Sequence, residues 1–67
     1  MADLDAYRVR SASHLRRTIA RLHAVIADNQ TIAELFPWRA RAARKRIRLA
    51  HGELKRAETE LSILLQA

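Results

Sequence analysis

Sixty-seven residues without a cysteine exclude a disulfide framework and thiolate chemistry, and at this length one core supplies only about 3–5 kcal/mol, so the fold must rest on regular helix packing, self-association or both. Thirteen Lys and Arg against seven Asp and Glu leave a net charge of +6, which points toward an anionic partner. There is no run of about 18 apolar residues, and the first residues, MADLDAYRVR, lack the basic and apolar regions of a signal peptide, so a soluble, cytoplasmic protein is expected.

Ala, Leu, Arg and Glu dominate beside one Gly and one Pro, which predicts an all-α chain. The first helix reads from about residue 4 to 28. Within it Leu15, Ile19, Leu22 and Ile26 step by four, three and four residues, as a coiled-coil seam does. Asp28, Asn29 and Gln30 weaken that helix, and Pro37 cannot lie inside one without losing a backbone hydrogen bond. Residues 29–36 are therefore predicted to form a corner, in which Thr31 and Glu34, at capping-box spacing, give one short turn.

Pro37 suits the first turn of the second helix, which reads from about residue 37 to 65. Its seam is Phe36, Ala40, Ala43, Ile47, Ala50, Leu54, Ala57, Leu61 and Leu64. Alanine between larger residues lets two backbones approach closely. The expected fold is one antiparallel, coiled-coil-like two-helix hairpin over residues 1–67. Folding it about residue 33 sets Ile26 near Ala40, Ile19 near Ile47, Ala12 near Leu54, Leu4 near Leu61, and Arg8 opposite Glu58 as an edge ion pair worth at most ~1 kcal/mol. Gly52 disfavours helix by about 1 kcal/mol against Ala, which makes a break at His51-Gly52 the alternative to one continuous second helix.

Two helices bury only one stripe each. A second, patchier stripe comprises Tyr7, His14, Val25 and Ile32 on the first helix and Trp38, Ala42, Leu49, Gly52 and Ile63 on the second. Tyr7, Val25, Ile32, Leu49 and Ile63 are the candidate dimer face, through which two hairpins would form an antiparallel four-helix bundle. The competing reading gives that face to a different protein. Phe36 and Trp38 carry the same choice between plugging the end of the bundle and anchoring a partner.

The stretch FPWRARAARKRIR, residues 36–48, holds six positive charges, and no acid falls between Glu34 and Glu53. On a helical wheel Arg41, Arg44, Lys45, Arg48, Lys55 and Arg56 form a ridge away from the seam, and Arg16, Arg17 and Arg21 of the first helix are expected to face residues 45 to 50. A solvated face normally mixes signs, whereas these neighbours repel one another and oppose the dipole at a helix N-terminus. An anionic partner would relieve both. The candidate binding set is Arg41, Arg44, Lys45, Arg48, Lys55 and Trp38. It suits an acidic protein surface, where Arg and Trp are frequent hot spots. Nucleic acid is the alternative, although no Asn or Gln lies on that face to read bases. A membrane surface is least favoured, because the hairpin uses the apolar face.

His14, His23 and His51 are not three or four residues apart, and no zinc, calcium, phosphate-loop or nucleophile pattern occurs. His14 and His51 are expected to approach across the hairpin, but two imidazoles complete no site. No metal, cofactor or small-molecule substrate is expected, and the chain reads as a non-enzyme. In size, pattern and charge it resembles the small helical-hairpin regulators of plasmids and phages, some of which bind paired RNA loops as dimers while others dock on host proteins. The resemblance implies a regulator that binds and modulates a macromolecule, such as an inhibitor of a host factor. It transfers no site residue.

Overall fold

The computed structural model describes residues 2–66 and consists of helix α1 (Ala2–Leu35), a single 3-10 turn at Pro37–Arg39 and helix α2 (Ala40–Gln66), with the two helices packed side by side as a hairpin. No described helix is long and apolar enough to cross a membrane. The rod measures 54 × 14 × 12 Å. Its radius of gyration of 15.6 Å exceeds the roughly 11 Å of a compact domain of this length.

The first helix does not stop at residue 28. It runs through the expected corner to Leu35, and the polar residues read as its terminators bond back into it. The Asn29 side-chain Nδ2 donates to the Val25 carbonyl at 2.8 Å, and the Thr31 hydroxyl donates to the Ala27 carbonyl at 3.2 Å. Asn29 is buried and continues the seam between Ile26 and Ala33, although its Oδ1 has no hydrogen-bond partner. The chain turns only where Pro37 forces it. A residue before proline is held out of the helical region, and Phe36 accordingly has φ −128° and ψ 84°. Phe36 N–H still donates to Ile32 O, and Arg39 N–H donates to Phe36 O, both at 2.8 Å, while Ala40 N–H bonds to Pro37 O. The corner therefore occupies Phe36 to Arg39 and not residues 29–36.

Moving the corner shifts the register between the helices. Leu22 and Ile26 cluster with Ala50 and Leu54, and Ile19, Val25 and Ile47 pack against them. The expected partner of Ile26, Ala40, lies ten residues before Ala50, about 15 Å along the helix. Ala12 and Arg8 border a groove with Leu64 and Leu65 in place of Leu54 and Glu58. The heptad of α2 itself holds: Ala40, Ala43, Ala50, Leu54 and Ala57 are buried, while Phe36 is 38% exposed.

The core is thin, since the buried hydrophobic residues are Ala12, Leu22, Ile26, Ala40, Ala43, Ala50, Leu54 and Ala57. Alanine permits the close approach but contributes little apolar area. Helix α2 runs unbroken through Gly52, and a Cβ built there meets nothing within 4 Å. Gly52→Ala should therefore stabilise the hairpin by about 1 kcal/mol through helix propensity and reduced unfolded-state entropy. The check is a higher melting temperature in circular dichroism, and a lower one would show that this position is not solvent-facing helix.

Candidate functional site

The basic stretch is assembled on the corner and the first half of α2. Neither the 3-10 turn nor the first turn of α2 contains an acid. Arg39, Arg41, Arg44, Lys45, Arg46 and Arg48 are all exposed, as is Lys55 two turns further on. Arg41, Arg48 and Lys55 recur every seven residues, so they form a straight line about 21 Å long, with Arg44 and Lys45 beside it. Five of these charges lie in the first three turns of α2, and Arg41 lies in the first turn, where the helix dipole disfavours it.

Trp38 projects from the same corner and is 77% exposed. Its ring meets Phe36 edge to face, with centroids 5.4 Å apart and planes at 66°. The Arg39 guanidinium carbon sits over the Phe36 ring, 5.8 Å from its centroid, which is within cation–π range. One aromatic face thus orders the first arginine of the run. Sequence reasoning counted Arg39 only as charge; the signal it missed was the three-residue spacing from Phe36, which brings both onto one side of a 3-10 turn. Leu35, 65% exposed, adds apolar surface beside them.

Other expected elements disperse. Arg56 leaves the ridge and lines a groove on the other edge of the hairpin with His14, Leu15, Thr18, Glu53 and Glu60. Arg16 lies beside Leu64 and Leu65, not residues 45 to 50. His14 borders Glu60, while His51 borders Lys55 and Glu58, so these imidazoles do not meet across the hairpin. No group of three or more His, Asp or Glu able to hold a metal occurs among the described residues.

The residues of the second stripe differ in exposure. Val25 is half-buried and packs on the core, and Ile32 is half-buried nearby. Tyr7, Leu49 and Ile63 are 60%, 60% and 64% exposed. Tyr7 lines an open groove with Ser11, His14 and Glu60, whereas Ile63 borders Thr59 and Ser62 on the outer side of α2. Comparison with protein-family models, curated proteins and solved structures finds no match.

Proposed function

We propose that this chain is a small non-enzymatic interaction protein of the cytoplasm that docks on an acidic surface of another protein and modulates it. Arg41, Arg44, Lys45, Arg48 and Lys55 supply the charge, and Trp38 supplies the anchor. In this reading the working form is a homodimer, two hairpins making a four-helix bundle. The observation that carries the proposal is the 77% exposure of Trp38 at the head of a carboxylate-free run of six positive charges. An indole left in water gains from being covered by a partner, with its N–H free to find an acceptor. Anionic groups would remove the repulsion along the ridge.

Nucleic acid is the second reading, favoured by the straight exposed line of Arg41, Arg48 and Lys55, which suits a phosphate backbone. Trp38 is the only tryptophan, so its emission reports directly on the corner. Capture from lysate at low salt followed by salt elution should yield an acidic protein that shifts Trp38 emission to the blue when added back. RNA or DNA in the eluate that produces the shift without protein would transfer the site to the second reading. Unchanged emission with both classes would remove the corner as a docking site.

A further inference from the structure

The edge of α2 that borders His14, Leu15 and Thr18 carries a row with an internal symmetry. Arg39, Arg46, Glu53 and Glu60 recur every seven residues, and all four are exposed. Two positive charges followed by two negative ones meet their opposites on a second copy running the opposite way. Charged rows flanking a helical seam set partner choice and orientation. Leu49, 60% exposed, lies between Arg46 and Glu53. The geometry points to a two-fold dimer in which this edge packs against its own copy antiparallel, with Arg46 opposite the partner's Glu53 and Arg39 opposite the partner's Glu60. Leu49 then meets its own mate near the axis, and the two aromatic corners lie at opposite ends of the overlap.

Three observations favour a second copy, the last two in this orientation. First, the accessible surface is 5463 Å², about 1100 Å² above the roughly 4300 Å² of a compact monomer of this mass. Two such excesses exceed the 1,200–2,000 Å² that a stable interface typically buries. Second, the other edge is less complementary to itself, because the same two-fold operation there sets Arg41 against the partner's Glu58 but Arg44 against the partner's Lys55. Third, pairing with both corners at one end would align two copies of the Arg39 to Arg48 run, six positive charges on each. The antiparallel arrangement leaves Arg41, Arg44, Lys45, Arg48 and Lys55 on the outside. It does not rest on the ridge binding anything, and its test uses other residues.

Sedimentation of the intact chain at micromolar concentration should give twice the 7.7 kDa chain mass. Arg46→Glu alone and Glu53→Arg alone should each weaken self-association about tenfold or more, because like charges then face each other twice across the axis. An equimolar mixture of the two variants should regain the parental affinity, since in the mixed pair each altered charge meets its opposite on the other copy. Both positions are exposed, so unchanged helical circular dichroism will separate lost pairing from lost folding. The same charge change at Glu58, on the other edge, should leave the homodimer intact. Because the chain has no cysteine, Leu49→Cys can also be tested alone, and a short bismaleimide should cross-link it but not Phe36→Cys. A parent that sediments as a folded monomer, a mixture that does not regain affinity, or cross-linking at Phe36→Cys in place of Leu49→Cys would each overturn the proposal.

Discussion

Leu54→Asp is expected to abolish the cooperative helical melt. Leu54 is 6% exposed and sits in a large-residue cluster with Leu22, Ile26 and Ala50. Truncating a buried leucine costs about 2–5 kcal/mol, and an unpartnered carboxylate at the same place adds desolvation or the cost of holding it protonated. A scaffold of this size has roughly 3–5 kcal/mol in total, so the loss exceeds the supply. Ile19→Asp should act in the same direction and more weakly, since Ile19 is only half-buried against the cluster. Ser62→Asp places the same charge on an exposed position of the same helix and should melt like the parent. A cooperative melt retained by Leu54→Asp would mean that the helices meet on another face.

The second large effect is on binding. Replacing Arg41, Arg44, Lys45 and Arg48 by glutamine keeps helix propensity and length while removing four exposed positive charges. The variant should melt at the same temperature or slightly higher, because repulsion and conflict with the helix dipole are both relieved. Its affinity for the captured partner should fall about 100-fold at low salt, and the gap should narrow as salt screens the parent. Trp38→Ala separates anchor from plug. With the ring 77% exposed, its removal should hardly change the melt but should weaken binding by about 2 kcal/mol or more, the scale of a hot spot. A lowered melting temperature with unchanged binding would make Trp38 the plug of the bundle instead. Unimpaired binding by both variants would remove the surface from Phe36 to Arg48 from consideration.

The helices and the α2 seam were legible because they depend on local spacing. Alanine at Ala40, Ala43, Ala50 and Ala57 alternates with larger residues in a rhythm that needs no tertiary information. The corner was misread because Asp28, Asn29 and Gln30 look like terminators only when their side chains compete with the backbone for hydrogen bonds. Here the Asn29 and Thr31 side chains bond to carbonyls one turn back, leaving the ladder intact, and burial of Asn29 extends the packed seam. That single boundary carried the pairing with it, which is why the charges of Arg16 and the position of His14 were misplaced although each residue had been assigned to the correct helix. The ridge was more robust, because Arg41, Arg44, Lys45 and Arg48 lie on one element and their relation does not depend on how α1 aligns. The aromatic–guanidinium stack was not legible, since it requires the 3-10 geometry that Pro37 imposes.

The shortness of the corner also bears on how fast and in what order the hairpin forms. Only Phe36 to Arg39 separate the two helices, so the residues nearest the turn are joined by a very small loop, and loop-closure entropy grows with length. Pairing is therefore least costly at the corner and then proceeds like a zipper toward the chain ends, each step adding contacts between residues already brought level. Low contact order of this kind goes with microsecond-to-millisecond folding. Perturbations of the alanine-lined zone at Ala33, Ala40 and Ala43 should then act chiefly on the folding rate. Those at Leu15, Leu61 and Leu64, at the open end, should act chiefly on unfolding.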